Sequence, residues 1–250
     1  MAGHSHWANI QRSKGAADAK RGKLFSKLSR YIMIAARSGG GDPDMNLKLR
    51  YAIDKARSNS MPKDNIEKAI KKGTGELEGV TFEELVYEGH GAGGVAVLAE
   101  LATDNRARSN SELRKVFERG GGKMAGPGSV AWMFERKGLF VLDAKGVDEE
   151  RLMDVALEAG ADDVKNAGGT LEVTCAAAAF STVQDALAKA NLTTTSAELT
   201  QLPKTPMDVD AETAQKVFKL MEALDEHDDV QNVYSNMNIT EEIAAAAAGG

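Results

Sequence analysis

The sequence is poor in the residues that stabilise small secreted proteins and membrane spans. Its 250 residues include one cysteine (Cys175), five prolines and 5% aromatic residues. A single cysteine excludes an internal disulfide and favours a reducing compartment. No apolar run approaches the ~18 residues of a membrane helix, and the N-terminal segment MAGHSHWANIQRSKG lacks the apolar core of a signal peptide. These absences predict a cytoplasmic protein with no membrane partner.

Groups that could perform catalysis are also scarce. The four histidines (His4, His6, His90 and His227) are scattered along the chain, and Cys175 lies in an alanine-rich segment typical of a small buried residue. No nucleophile–base pair follows from this distribution. The sequence also has no G-x-x-x-x-G-K-[ST] loop to hold a nucleotide triphosphate. We therefore expect no enzyme activity, no cofactor, no metal and no small-molecule substrate.

One glycine motif requires its context to be interpreted. Residues 89–94 (GHGAGG) match the dinucleotide-binding pattern G-x-G-x-x-G. That pattern must follow a strand and open a helix, whereas here it precedes a predicted strand. We interpret it as a tight glycine turn.

What the sequence does contain is a strong segregation of charge. Residues 1–75 carry 16 Lys and Arg against 6 Asp and Glu, a net charge of +10, and residues 76–250 carry a net charge of −16. The whole-chain net charge of −6 is the sum of these two parts, which we call the head (residues 1–75) and the body (residues 76–250). A basic segment of this kind favours a polyanionic partner, because each neutralised phosphate releases a condensed counterion.

The basic head has a helical pattern. Apolar residues recur at helical spacing between residues 16 and 38. Five cations of this segment are separated by three, four, three and seven residues, which places them on one side of the helix: Lys20, Lys23, Lys27, Arg30 and Arg37. Residues 1–22 have too few apolar positions to pack alone, so we expect an extended arm with one aromatic residue for base stacking. The predicted nucleic-acid contacts of the head are Trp7, Arg12, Lys14, Lys20, Arg21, Lys23, Lys27, Arg30 and Arg37.

A second basic element lies inside the acidic body. Residues 106–123 hold six cations against two carboxylates, and Asp104-Asn105 is a good helix cap. Arg106 and Arg108 then fall in the first helical turn, where free backbone N–H groups attract anions, and they extend the predicted contact surface. Two alternatives remain open: a solvated helix with internal ion pairs, or a head that docks electrostatically on its own acidic body.

The order of predicted elements indicates an α+β protein. The head contains three helices: residues 16–38, a second capped by Asp42 with Pro43 at its first position, and a third from Pro62 to Gly73. The body alternates strands (93–104, 129–135, 138–142, 163–166, 171–175, 196–202, 230–234) with helices (105–119, 148–159, 180–190, 211–224). Residues 138–202 follow the split βαβ order of the ferredoxin-like fold. The flanking segments supply a second unit, so we favour one α/β domain inserted into another over two consecutive domains.

Several sequence blocks resemble those of the YebC family. They include SGGGDPDMNLKLRYAIDKARSNSMPKDNIEKAIKKG, YEGHGAGGVAV, TDNRARSNSELRKVFERGG, GSVAWMF and DDVQNVYSNM, in order over nearly the full chain. The resemblance implies an N-terminal all-helical domain followed by two ferredoxin-like α/β domains, the third inserted into the second. The expected bounds are 1–78 for the basic helical domain, 79–136 with 204–240 for the second domain, 137–203 for the inserted domain, and 241–250 for an Ala/Gly-rich tail.

The resemblance also suggests a function. Family members are described as DNA-binding transcriptional regulators, as ribosome-associated factors that relieve translation stalls such as those at proline runs, and, in a mitochondrial relative, as an activator of cytochrome oxidase subunit translation. We expect a non-enzymatic nucleic-acid-binding regulator, with a monomer favoured. Ribosomal RNA is the preferred target, because the chain lacks a recognition-helix signature and a basic arm suits irregular RNA surfaces. The alternatives are a DNA-binding transcriptional regulator and a protein-interaction adaptor.

Overall fold

A computed structural model describes residues 18–167, 169–240 and 243, except for the side chains of residues 18–20. Within this range the helices are α1 (Asp18–Gly39), α2 (Leu47–Ser58), α3 (Lys63–Thr74), α4 (Arg106–Arg119), α5 (Glu149–Glu158), α6 (Phe180–Lys189) and α7 (Ala211–Asp225). The strands are β1 (Glu83–His90), β2 (Ala96–Thr103), β3 (Lys123–Ala125), β4 (Phe134–Asp143), β5 (Ala161–Asn166), β6 (Thr170–Ala176), β7 (Ser196–Pro203) and β8 (Val230–Ser235).

These elements form two compact units. Among the described residues, the first unit comprises 18–130 with 215–233, and the second comprises 131–214 with the residues from 234 onward. The first unit contains the helical head and one four-stranded sheet, and the second contains another four-stranded sheet. The strands of the second sheet lie in sequence between β3 and β8 of the first, so the third domain is inserted into the second.

The head packs three amphipathic helices around an aliphatic core. Buried residues of α1, α2 and α3 meet there, among them Leu28, Ile32, Leu49, Ile53 and Ile66. The close approach of α3 to α1 depends on a missing side chain, since a Cβ on Gly73 would lie 2.5 Å from the Met33 carbonyl oxygen.

The first sheet has the strand order β3-β1-β2-β8. Strands β1 and β2 form an antiparallel hairpin, and β3 runs antiparallel to β1 on its other side. Strand β2 is almost completely buried, as its continuous apolar run predicts. Helix α4 packs Leu113 and Phe117 into this core, and a Cβ on Gly89 would lie 2.5 Å from the Phe117 ring.

The second sheet has the order β5-β6-β4-β7. Helix α5 connects β4 to β5 and helix α6 connects β6 to β7, which is the split βαβ arrangement predicted from the sequence. Phe140 of β4 stacks on Phe180 of α6 with ring centroids 4.7 Å apart. The core of this unit is formed by continuous buried runs in β4 and β6, and the aromatic pair joins it to helix α6.

Three local predictions were wrong. Helix α2 begins at Leu47 instead of at Pro43, because Asn46 and not Asp42 is the N-cap, its Oδ1 accepting from the Leu49 N–H at 3.1 Å. Helix α3 continues past Gly73 to Thr74, and Gly75 ends it with φ +85°.

The third wrong prediction is the strand at residues 129–135. A 3-10 turn over Ala131–Met133 precedes β4, and the backbone N–H groups of Gly128 and Val130 donate to the buried Glu88 carboxylate at 2.6 and 2.7 Å. Backbone groups satisfied by a side chain are unavailable for a sheet ladder.

None of the helices in the described part of the chain is long and apolar enough to cross a membrane.

Candidate nucleic-acid interface

The cations of helix α1 meet a run of carboxylates that joins α7 to β8. We call residues 225–229 (DEHDD) the acidic turn. Lys27 Nζ lies 3.0 Å from Asp225 Oδ1 and also donates to the Asp225 carbonyl. Lys23 Nζ donates to the Glu226 carbonyl at 3.3 Å and lies 3.8 Å from Asp228 Oδ1. Both lysines therefore have carboxylate partners within the protein.

Arg30 makes the next contact with the acidic turn. Its Nη1 donates to Asp229 Oδ1 at 3.0 Å and to the Asp228 carbonyl. The guanidinium also lies 5.2 Å from the centroid of the Phe82 ring, within cation–π range. A side chain with three partners of this kind loses much of its freedom to follow an external phosphate.

Asp229 is the centre of the network. Asp229 is 2% exposed. Its Oδ2 accepts hydrogen bonds from Arg108 Nη2 at 2.7 Å, from Ser109 Oγ at 2.8 Å and from Thr103 Oγ1 at 3.1 Å. With Arg30 on Oδ1, this one carboxylate connects helix α1, the end of β2 and the first turn of α4. Its acceptor sites are thus well satisfied, as a buried charge requires.

Two opposing effects set the protonation of Asp229. Burial by itself raises the pKa of its carboxyl group, but the hydrogen bonds from Arg108, Ser109 and Thr103 and the charge of Arg108 outweigh it. The pKa of Asp229 is therefore lowered from its ordinary value. The carboxylate stays ionised at neutral pH and holds its cations there.

These contacts answer one alternative left open by the sequence. The five cations that the sequence places on one side of α1 form what we call the α1 stripe: Lys20, Lys23, Lys27, Arg30 and Arg37. Its middle three members dock on the protein's own acidic turn. Trp7, Arg12 and Lys14 lie outside the described residues, as does the side chain of Lys20.

The remaining predicted contacts are dispersed. Arg21 is exposed at the beginning of α1, and Arg37 is exposed near its end, beside Lys72 in an open groove of about 470 Å³. Arg106 is exposed and lies 3.7 Å from Glu83 Oε1, whereas Arg108 is held by Asp229 and Asp104. Arg108 thus lies close to Arg30 of the α1 stripe because both donate to the Asp229 carboxylate.

A different set of cations is exposed. Within the described residues, four side chains on α4 and at the start of β3 have no ion pair and no side-chain hydrogen bond. We call them the α4 row: Arg114, Lys115, Arg119 and Lys123. All four belong to the second basic element of the sequence, but the helix cap at Asp104-Asn105 favours Arg106 and Arg108, in the first turn, as the predicted contacts.

The described residues offer little for catalysis. Burial, together with the nearby charge of Asp162, raises the pKa of the Cys175 thiol to about 11, so it stays protonated at neutral pH. His227 uses its Nε2 on Glu112 at 2.9 Å and accepts from the Asp229 N–H through Nδ1. In the part of the chain that is described, no group of three metal-ligating side chains comes together.

Two family models match the chain. The TACO1/YebC N-terminal domain matches residues 5–76, and the TACO1/YebC second and third domain matches residues 82–237. The chain belongs to the TACO1/YebC family. The boundary between the two matches falls between α3, the last helix of the head, and β1, the first strand of the first sheet.

Relatives of this YebC-family chain carry regulatory names. A probable transcriptional regulatory protein of Geobacter sulfurreducens is 54% identical over 242 residues, which is 97% of this chain and 98% of that protein. A probable transcriptional regulatory protein of Treponema pallidum is 54% identical over 243 residues, with 97% and 99% covered. These names indicate a regulator of gene expression.

A solved structure supports the fold. The crystal structure of a conserved hypothetical protein from Aquifex aeolicus matches with a TM-score of 0.79 and 47% identity, over 88% of this chain and 91% of that one. The α+β architecture with an inserted third domain is therefore the fold of this YebC-family chain.

Sequence reasoning missed the acidic turn as a partner of the head. Runs of carboxylates are usually solvated, so the sequence of residues 225–229 alone does not predict a partner for them. The available signal was the charge complementarity itself, since the +10 head requires counter-charges and the body has an excess of them. Which of the acidic runs lies next to α1 depends on tertiary structure.

Proposed function

We propose that this YebC-family protein is a non-enzymatic regulator of gene expression that binds nucleic acid in the cytoplasm. The observation that carries the proposal is the α4 row, four exposed cations without a carboxylate partner among the described residues. A chain with 37 Asp and Glu against 31 Lys and Arg has enough carboxylates to neutralise every cation. A cluster of four cations within ten residues that has no such partner in the described part of the chain favours an external polyanion.

RNA of the ribosome is the target that this arrangement supports best. The α4 row passes from a helix across a glycine loop to the first residue of a strand. It is not a single straight helix face of the kind that enters a DNA major groove. A bent line of cations suits the irregular backbone of folded RNA. The corresponding activity is the relief of translation stalls, such as those at proline runs.

A DNA-binding transcriptional regulator is the second candidate. It is favoured by the names of the relatives from Geobacter and Treponema, which are called probable transcriptional regulatory proteins. On this proposal, the same exposed cations contact duplex phosphates, and sequence is read by residues outside them.

In-cell crosslinking with sequencing of the attached nucleic acid separates the two candidates. Enrichment of ribosomal RNA at discrete positions supports the translation factor, and enrichment of DNA upstream of genes supports the transcriptional regulator. Crosslinks to neither overturn the nucleic-acid proposal.

A reporter tests the translational activity. Deleting the gene is expected to lower the yield of a reporter that contains a proline run and to leave a reporter with the same residues in scrambled order unchanged. Re-expression of the wild-type protein restores the yield. An equal effect on both reporters argues against stall relief.

A further inference from the structure

Two glycine loops meet at one end of the first sheet. Strand β1 ends at His90, and the antiparallel β3 begins at Lys123 directly opposite it. The β1–β2 loop and the α4–β3 loop (Gly120–Gly122) therefore lie at the same end of the sheet. A Cβ on Gly122 would lie 2.5 Å from the His90 carbonyl oxygen and 3.3 Å from the Gly91 Cα, so the loops are in contact.

Each loop has a glycine whose backbone is exposed to solvent. Gly94 has φ +83° and Gly121 has φ +72°, conformations that exclude most side chains. Both residues are exposed, and nothing lies within 4 Å of the position that a Cβ would occupy. By contrast, Gly120 is required for packing, since its Cβ would lie 2.7 Å from Leu220. Gly94 and Gly121 thus present bare backbone that a phosphate group can approach closely.

Cations of the α4 row flank these loops. Arg119 immediately precedes the glycines 120–122 and Lys123 immediately follows them, while Lys115 lies one turn before Arg119 on the same helix face. Residues 113–125 contain four cations and a single carboxylate, Glu118. A favourable interaction with the helix dipole explains a cation in the last turn, but it does not explain Lys123, which lies beyond the helix.

We infer that this end of the first sheet is a phosphodiester-binding site. We call it the glycine-loop end: residues 91–94 and 120–122 with Lys115, Arg119 and Lys123. It contacts the sugar–phosphate backbone through charge and close backbone approach, and it reads no base sequence. This inference rests on the proposed nucleic-acid function and assigns that function to a surface other than the docked α1 stripe.

The test compares two charge-matched variants of the full chain. Lys115→Gln/Arg119→Gln/Lys123→Gln removes three cations at the site, and Arg136→Gln/Lys145→Gln/Lys189→Gln removes the same residue types from exposed positions of the second unit. Binding to a labelled mixed-sequence single-stranded RNA is measured by fluorescence anisotropy over a salt series. Circular dichroism and thermal melting establish that both variants are folded.

The site variant is expected to bind more weakly than wild type and to lose about 2 from the slope of log K against log salt, because each single-strand phosphate contact contributes ~0.7. The matched control keeps the wild-type slope. If the site variant keeps the slope while wild type binds RNA, the inference is wrong and the proposed function stands. If wild type binds neither this RNA nor a DNA duplex, the proposed function fails and the inference fails with it.

Discussion

The Arg108 guanidinium donates to Asp229 Oδ2 at 2.7 Å, across 121 positions of sequence. The other carboxylate oxygen accepts from Arg30 at 3.0 Å. One buried carboxylate therefore holds the basic helix α1 and the first turn of α4 at the same place. Two cations that the charge pattern assigns to nucleic acid are, in the folded chain, partners of an aspartate.

Replacing Asp229 tests how much this carboxylate stabilises the fold. Asp229→Asn keeps the shape but removes the charge, leaving Arg30 and Arg108 without their shared counterion and placing an amide N–H₂ among donors. We expect a loss of about 2–3 kcal/mol in the free energy of unfolding, measured by urea denaturation.

Asp228→Asn is the matched control for that measurement. The Asp228 side chain is 72% exposed and lies 3.8 Å from Lys23, so its replacement is expected to change stability by less than about 0.5 kcal/mol. Equal effects of the two substitutions would contradict the central place of Asp229.

The pH dependence of stability follows from the lowered pKa of Asp229. A carboxyl group with a lowered folded-state pKa contributes stability above its unfolded pKa of about 3.9, and this contribution is lost as pH falls through the folded value. The stability difference between wild type and Asp229→Asn should therefore stay constant from neutral pH down to about pH 4 and shrink below it. Denaturation at a series of pH values measures this. A difference that already closes near pH ~6.5 would indicate a histidine instead.

A charge swap distinguishes structural from ligand-binding use of Lys27. The pair Lys27–Asp225 is partly buried, with side chains 14% and 32% exposed. Lys27→Asp alone should destabilise the protein, and adding Asp225→Lys should restore part of the loss, with a coupling energy of about 1 kcal/mol in a double-mutant cycle. Additive effects would show that the pair is not coupled.

The same swapped variant has a second readout in RNA binding. If Lys27 serves the fold, the double variant binds RNA as wild type does. A stable double variant with weakened RNA binding would instead place Lys27 in contact with phosphate, as the sequence predicts.

Gly73→Ala tests the packing of the head. The added Cβ would lie 2.5 Å from the Met33 carbonyl oxygen and 2.8 Å from the Ala36 Cβ, both on α1. Since helix backbone gives way poorly, we expect a loss of about 1–3 kcal/mol, measured by thermal and urea denaturation.

Gly22→Ala is the control for this steric argument. Gly22 lies within α1, and nothing is within 4 Å of its Cβ position. Alanine there should stabilise the helix by about 0.5–1 kcal/mol. Destabilisation by both alanines would mean that glycine flexibility, and not the α1–α3 contact, is the cause.

Much of the architecture could be predicted because its signals are local. Apolar spacing located helix α1, and the split βαβ order of residues 138–202 matches the second sheet. Strand β1 was missed, because Glu83, Glu84 and Glu88 give it a polar composition that is atypical of a strand. Its pairing with the buried β2 supplies the stability that its own residues do not.

The N-cap of helix α2 also depends on contacts that the local sequence does not show. Asp42-Pro43 is a good start signal by propensity, yet Asn46 caps α2 because its amide also donates to the carbonyls of Ala35 and Gly40 at 2.8 Å. A side chain that satisfies three backbone groups outweighs one that satisfies a single N–H. Those carbonyls belong to the last turns of α1 and to the residue that follows it, so the local sequence around Asn46 does not reveal them.

The sequence by itself determined the three-domain α+β architecture, the family and the concentration of positive charge in the head. These features depend on periodicity and composition, which can be recognised in short stretches of neighbouring residues. Only the tertiary structure decided which cations remain exposed. Lys27 and Asp225 are 198 positions apart, and an electrostatic pair acts over a few ångströms. The fold therefore pairs the middle of the α1 stripe with the acidic turn and leaves the α4 row exposed to solvent.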